Sequence, residues 1–134
     1  MITDEQREFL QARRLCVVGY ARKSGSPALS PAYYYLEGDD IVISTTASRA
    51  KGKAGRRNPE MSVCVLAEKP PFQYLTVYGR ARVEDTGAVD VMMRIGEKMT
   101  GAPISETSRP ALEQRARDEG RVVLRITAAS IVSR

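Results

Sequence analysis

The residues with the clearest chemical potential form a short segment in which hydroxyl side chains are followed by cations. Ser44, Thr45 and Thr46 end an apolar, β-prone run, and Arg49 and Lys51 follow two residues apart. Hydroxyls at a strand end, together with free amides at a helix start, bind phosphate oxygens. Arg neutralises a phosphate through a bidentate fork, and Lys does so as a point charge. Residues 44–51, here called the hydroxyl–cation segment, therefore predict a site for a ligand that carries a phosphate.

Two other interpretations of this segment stay open. A run of charges is often only the solvated face of a helix. Basic segments also contact nucleic acid without sequence preference, but such surfaces interleave their cations with exposed aromatic rings. Residues 44–60 contain no aromatic residue, so we expect no nucleic-acid partner.

The positive charge of the chain is concentrated around the same segment. The formal net charge is +5, which favours an anionic partner. No acidic residue occurs between Asp40 and Glu60, whereas five cations do: Arg49, Lys51, Lys53, Arg56 and Arg57. An anionic ligand is therefore expected to meet the chain here.

Residues that are missing from the sequence exclude many enzyme classes. There is no histidine, so Ser-His-Asp and Cys-His catalysis and imidazole metal ligands are excluded, and we expect no metal site. Cys16 and Cys64 each lie in an apolar run, which predicts two buried, reduced thiols. The phosphate loop GxxxxGK[ST] is also absent. We identify no catalytic side chain, so any chemistry depends on carboxylates, Lys, Tyr or a bound cofactor.

Two further clusters have mainly structural interpretations. The tyrosines at 33, 34 and 35 are consecutive in a predicted strand, so their rings alternate between a core face and a face that is free to line a groove. The methionines at 92, 93 and 99 recur at helical spacing. This spacing indicates core packing more than a cofactor pocket.

Hydrophobic periodicity and turn residues predict the elements that position these side chains. Helices are expected over residues 3–14, 86–100 and 105–119, and the basic segment 48–58 is predicted to be a short helix or an irregular turn. Strands are expected over residues 15–21, 32–37, 41–45, 61–67, 72–83 and 121–126. Short connections between the early strands favour antiparallel pairing. The prediction is one domain over residues 1–134 with a mainly β, α+β fold: an antiparallel barrel, closed or partly open, with peripheral helices.

The sequence also suggests where the protein acts. No run of apolar residues approaches the length that spans a membrane. Residues 1–14 lack the apolar region of a secretory signal. We therefore expect a cytoplasmic protein with no membrane partner.

Five short motifs stand in an order that resembles a known family. They are PALSPAY (27–33), IVISTT (41–46), SRAK (48–51), RRNPEMSV (56–63) and FQYLTVYGRA (72–81). In this order they resemble the flavin and deazaflavin oxidoreductases related to pyridoxamine 5'-phosphate oxidase, over residues 8–84 and the last strand. Within that superfamily, the sequence is most similar to the branch that uses the deazaflavin coenzyme F420.

The resemblance implies a fold, an assembly and a site. The fold is the FMN-binding split β-barrel of this family, and the assembly is a homodimer with the cofactor in a groove between subunits. Ser30 and Pro31 are implied to lie near the ring system of the cofactor. Its phosphate and side chain are implied to meet the hydroxyl–cation segment, through Ser44, Thr45, Thr46, Arg49, Ala50 and Lys51. The second subunit is implied to close the groove with Gln73 and Tyr74.

The sequence departs from the family at two places. Ala54-Gly55 stands where the family often carries Asn-Leu, so an Asn contact to the cofactor is missing and Lys53 replaces it only in part. The chain also ends without the Arg-x-His pattern of true pyridoxamine phosphate oxidases and contains no histidine. This argues against that specific activity.

The function implied by the resemblance is hydride transfer between reduced coenzyme F420 and a small electron-poor organic acceptor. A deazaflavin carries the hydride itself, which accounts for the absence of an obvious catalytic side chain. F420 carries a phosphodiester and a tail of glutamates, so Lys53, Arg56 and Arg57 are expected to meet the tail. Two alternatives remain: an FMN-dependent oxidoreductase or flavin reductase on the same fold, and a non-catalytic carrier of a cofactor or pigment.

Overall fold

The computed structural model describes residues 1–134, in which six strands form a closed antiparallel barrel with four helices around it. The helices are α1 (Asp4–Gln11), α2 (Ala50–Arg57), α3 (Ala88–Thr100) and α4 (Arg109–Glu119), the last preceded by a 3₁₀ turn at Glu106–Ser108. The strands are β1 (Leu15–Ala21), β2 (Pro27–Glu37), β3 (Asp40–Thr46), β4 (Glu60–Leu66), β5 (Tyr74–Glu84) and β6 (Arg121–Ser133). Around the barrel their order is β1-β2-β3-β6-β5-β4. This confirms the predicted mainly β, α+β split-barrel class.

Alternate residues of the strands fill the barrel interior, because successive side chains of a strand point to opposite faces. Seventeen buried hydrophobic residues form this core, and Leu10 of α1 and Ala54 of α2 belong to it. α1 lies beside Leu75 at the start of β5, whereas α2 lies beside Val83 near its end, so the two helices close opposite ends of the barrel. Cys16 also lies in the core, Cys64 is half-buried, and both are free thiols.

A second, smaller cluster lies outside the barrel wall. It joins α3 to β2, β3 and β6 through Tyr35, Val42, Val91, Ile95 and Val123.

α3, with 13 residues, is the longest of the four helices. No helix of the protein is both long and apolar enough to cross a membrane.

Two strands are longer than their sequence patterns predict. β2 begins at Pro27 instead of Ala32, and β6 continues to Ser133 instead of ending at Ile126. Proline, glycine and serine around Pro27 suggested a turn, but Pro27 and Pro31 are compatible with this strand. The Tyr34 N–H donates to the carbonyl of Arg14, the residue just before β1, at 3.1 Å. The backbone N–H and C=O groups of even-numbered β2 residues therefore point toward β1, and those of odd-numbered residues point away from it. No β1 hydrogen bond is lost at either proline.

Candidate functional site

β2 changes partner along its length, and this change opens one side of the barrel wall. Its first half pairs with β1, whereas its ladder with β3 extends only from Glu37 opposite Asp40 to Tyr34 opposite Ile43. In the same register Tyr33 would follow opposite Ser44, and two residues further on Pro31 would lie opposite Thr46, where proline has no N–H to donate to β3. A groove therefore opens between residues 27–33 of β2 and residues 44–46 of β3. We call this groove the seam.

Two cations from the start of α2 stand at the seam. Lys51 is half-buried, and its Nζ donates a hydrogen bond to Ser30 Oγ across the groove. Burial, with a smaller contribution from the charge of Arg49, lowers the pKa of Lys51. The backbone N–H of Arg49 donates to Thr46 Oγ1 at 3.2 Å, and its guanidinium pairs with no carboxylate. The positive charge of Arg49 is therefore available to a ligand.

The N-terminus of α2 adds to this positive potential. No side chain caps this end of the helix, and its first turn contains no acid. The amides of Ala50 and Lys51 belong to the first turn, where backbone N–H groups have no acceptor within the helix. The helix dipole places further partial positive charge here. A phosphate would supply both the acceptors and the negative charge that this corner lacks, so the residues present fit a phosphate-bearing cofactor.

The seam continues into a cavity of about 480 Å³ between β2 and the helices α3 and α4. Apolar side chains from the helical side form one wall: Met92, Ile95, Met99, Ile104 and Leu112. Residues of β2 form another: Pro31, Ala32 and Tyr33. Apart from Gly96, the remaining lining is a polar end of one hydroxyl and four cations: Ser44, Arg49, Lys51, Arg115 and Arg121. No acidic side chain lines the cavity, which is therefore shaped for an anionic ligand with an apolar part.

The predicted site residues divide between this cavity and other places. Ser30, Pro31, Ser44, Arg49, Ala50 and Lys51 lie at the seam, and Thr46 supports Arg49 there. Thr45 is fully buried on the opposite face of β3, and its Oγ1 has no hydrogen-bond partner. Its side chain does not reach the cavity.

The predicted tail-binding cations on α2 lie outside the cavity. Arg56 pairs with Asp85 at 2.5 Å, and the Arg57 Nη2 donates to the Ala21 carbonyl at 2.9 Å. Lys53 is exposed to solvent. None of these three side chains lines the cavity.

Gln73 and Tyr74 lie at a different place in the chain. They line a cavity of about 570 Å³ against α1, together with Ser133 and Arg134. Within a single chain they are not brought to the seam, so their predicted role from a second subunit stays a prediction.

Arg115 and Arg121 line the cavity but were not identified from the sequence. Arg121 is the first residue of β6 and lies opposite Thr46 in the β3–β6 ladder. That pairing joins residues that are far apart in the chain, and no local pattern indicates which strand β6 will meet. The lining methionines Met92 and Met99 were interpreted as core, whereas of the three methionines only Met93 is buried in the protein.

Close packing at Gly52 holds α2 against the end of β3. A Cβ atom at Gly52 would lie 2.5 Å from the carbonyl oxygen of Thr46. At Gly55 a Cβ atom would meet only side-chain methyl groups, of Leu124 and Val83, at 3.0 Å. Gly55 is also buried, which explains why the Leu that the family often carries here would not fit.

We expect Gly52→Ala to destabilise the protein by about 1–2 kcal/mol, although Ala is the better helix former by about 1 kcal/mol. The new methyl group would displace either α2 or the strand end. Gly55→Ala is the matched control, because methyl groups at side-chain ends can rotate away, and its effect should be smaller. Urea unfolding of both variants measures the difference. A Gly52→Ala protein as stable as the wild type would contradict this packing argument.

The family is decided by comparison with known proteins. A family model described as pyridoxamine 5'-phosphate oxidase matches residues 2–133. The chain belongs to the pyridoxamine 5'-phosphate oxidase family. Its membership confirms the resemblance in the five sequence motifs. No curated protein sequence matches the chain significantly.

Solved structures with this fold include several kinds of protein. The conserved hypothetical protein Rv2991 from Mycobacterium tuberculosis is 23% identical, with a TM-score of 0.86 over 99% of this chain and 84% of that chain. A structure named F420 reductase is 17% identical, with a TM-score of 0.76 over 94% of each chain. The heme storage protein HutZ from Vibrio cholerae is 15% identical, with a TM-score of 0.71 over 98% of this chain and 93% of that chain. At these identities the likeness establishes the shared split barrel of the pyridoxamine 5'-phosphate oxidase family.

Proposed function

We propose that this protein is an oxidoreductase that binds coenzyme F420 at the seam and positions it for hydride exchange with a small electron-poor organic acceptor. One observation carries the proposal. Arg49, without an acidic partner, and Lys51 stand beside the uncapped N-terminus of α2, where the β2–β3 ladder ends. Such a corner supports binding of a phosphodiester.

The chain's own residues have separate roles in this proposal. Arg49 and the amides of Ala50 and Lys51 bind the phosphate. Lys51 also holds Ser30, which ties the phosphate site to the strand that bears Pro31. The apolar side chains of the cavity exclude water from the space beside that strand. The bound deazaflavin supplies the hydride chemistry, while the protein supplies binding and orientation.

The charge of the cavity favours a deazaflavin over FMN. Four cations line the cavity, and one carboxylate, of Glu119, neutralises part of the charge of Arg115 and Arg121, so the cavity keeps more positive charge than the single phosphate of FMN needs. The name of one structural neighbour, F420 reductase, supports the same choice. The heme storage function named for another neighbour keeps a carrier role as the second candidate.

The deciding test is titration of the pure protein with F420 and with FMN, at low and high salt, followed through ligand fluorescence. We expect F420 to bind tighter and its affinity to fall as salt rises, because exposed charges are screened. Tighter binding of FMN would reject the choice of cofactor. If F420 binds but no electron-poor acceptor is reduced in absorbance assays, the carrier role is favoured instead.

We also propose that a second copy of the chain covers the outer face of β1, β4, β5 and the first half of β2. α1 and α2 close the barrel ends, and α3 lies over β2, β3 and β6. The remaining face bears large exposed apolar side chains: Leu15, Leu29, Leu66 and Tyr78. Patches of this kind mark interaction sites, and closed homodimers are the commonest assembly. The proposed dimer brings Gln73 and Tyr74 of the partner to the groove, as the family resemblance implies.

A further inference from the structure

Resting on the proposed function, we infer that Arg115 and Arg121 bind the acidic glutamate tail of the coenzyme. The tail then leaves the phosphate site toward α4 and not along the exposed face of α2. This reassigns the contact that the sequence suggested for Lys53, Arg56 and Arg57.

Arg121 lies directly beside the phosphate corner. Its side chain is only 12% exposed, and its Nη1 is 3.5 Å from Ser44 Oγ. Its backbone pairs with that of Thr46. A ligand with its phosphate at Arg49 would therefore meet Arg121 as the next cation within the same cavity.

Arg115 and Arg121 already hold a glutamate carboxylate of the protein. Arg121 Nε lies 2.6 Å from Glu119 Oε2, and Arg115 Nε lies 2.8 Å from Glu119 Oε1. These hydrogen bonds lower the pKa of Glu119, so the carboxylate is ionised at neutral pH. One carboxylate neutralises only one of two guanidiniums, and each guanidinium retains further N–H donors. The pair is thus built for carboxylates and has charge left for another one.

The cations of α2 are poorer candidates for the tail. Arg56 is paired with Asp85, and Arg57 is bonded to a backbone carbonyl. Neither lines the cavity that contains Arg49 and Lys51, whereas Arg115 and Arg121 do. A tail on α2 would have to leave the cavity, and at Arg56 it would also have to displace the ion pair with Asp85.

The test compares affinities for F420 with several glutamates and for the form without glutamates that keeps the phosphate, measured by fluorescence titration. In the Arg115→Ala/Arg121→Ala variant, affinity for the long-tailed form should fall about tenfold, while affinity for the glutamate-free form changes less than about twofold. Arg117→Ala is the matched control, because Arg117 lies on the same helix but does not line this cavity. Lys53→Ala/Arg56→Ala tests the competing assignment.

The outcomes separate the two proposals. The inference would be overturned if Lys53→Ala/Arg56→Ala removed the affinity gained from the tail and Arg115→Ala/Arg121→Ala did not. The proposed binding of F420 would stand in that case. Affinity that is independent of tail length in the wild type would overturn it as well. If the wild type binds no form of F420, the proposed function fails together with the inference. Arg115→Ala alone, at an exposed helix position, should still weaken the long-tailed form about threefold, which guards against a folding defect at Arg121.

Discussion

Replacing Arg49 and Lys51 together by Ala should weaken cofactor binding by at least tenfold, which corresponds to about 1.4 kcal/mol. Hydrogen bonds to charged groups contribute about 1.5–3 kcal/mol each, so a larger loss is expected if both side chains contact the phosphate. The fold should survive, because Arg49 is exposed and has no acidic partner. Replacing Lys51 removes only the hydrogen bond from its Nζ to Ser30 Oγ. The amides of α2 remain and should retain part of the affinity.

The measurement is the dissociation constant of F420 for the double variant and for Lys53→Ala. Lys53 is the matched control because it lies on the same helix, carries the same charge as Lys51 and does not line the cavity. Unchanged affinity in the double variant, with intact unfolding behaviour, would refute the phosphate assignment. A nucleic-acid role makes a different prediction for the same variant, namely loss of salt-dependent DNA binding.

The fold class was predictable because short turns and alternating strands are encoded locally. The ends of β2 and β6 were not, because their extension depends on the neighbouring strand. Pro27 and Pro31 suggest a turn in isolation and are accepted in β2 only because their nitrogen atoms face away from β1. Beyond the end of the β2–β3 ladder at Tyr34, Pro31 also has no N–H to offer β3, so the ladder cannot resume opposite Thr46. A residue that weakened the strand prediction thus helps to shape the site.

The candidate site was predictable where it is continuous in sequence. The hydroxyl–cation segment places Ser44, Arg49 and Lys51 at one cavity, as its pattern suggested. Strand alternation by itself separates Thr45 from Ser44, since neighbouring side chains face opposite sides. Arg121 could not be found in this way, because it reaches the site through the β3–β6 ladder. The count of charges likewise favoured the cations of α2 as the contacts of the glutamate tail. Their ion pair and backbone hydrogen bond, which argue against this role, cannot be read from the sequence.

Replacing Leu29 by Glu should convert a dimer into a monomer. Leu29 is 76% exposed in the single chain and lies with Tyr78 in the same surface groove. Burying a leucine contributes about 2 kcal/mol. A symmetric dimer contains the contact twice, so the expected loss is about 4 kcal/mol, or about a thousandfold in the dissociation constant. Ala111→Glu on the exposed face of α4 adds the same charge elsewhere and should leave the dimer intact.

Light scattering at micromolar concentration gives the mass of each variant, and a monomeric wild type would contradict the proposed dimer outright. Cofactor titration of the same variants adds a second criterion. If Gln73 and Tyr74 of the partner close the groove, Leu29→Glu should weaken F420 binding although Leu29 does not line the cavity at the seam. A monomeric variant with wild-type affinity would instead mean that one chain holds the whole site. Gln73 and Tyr74 would then have no part in cofactor binding.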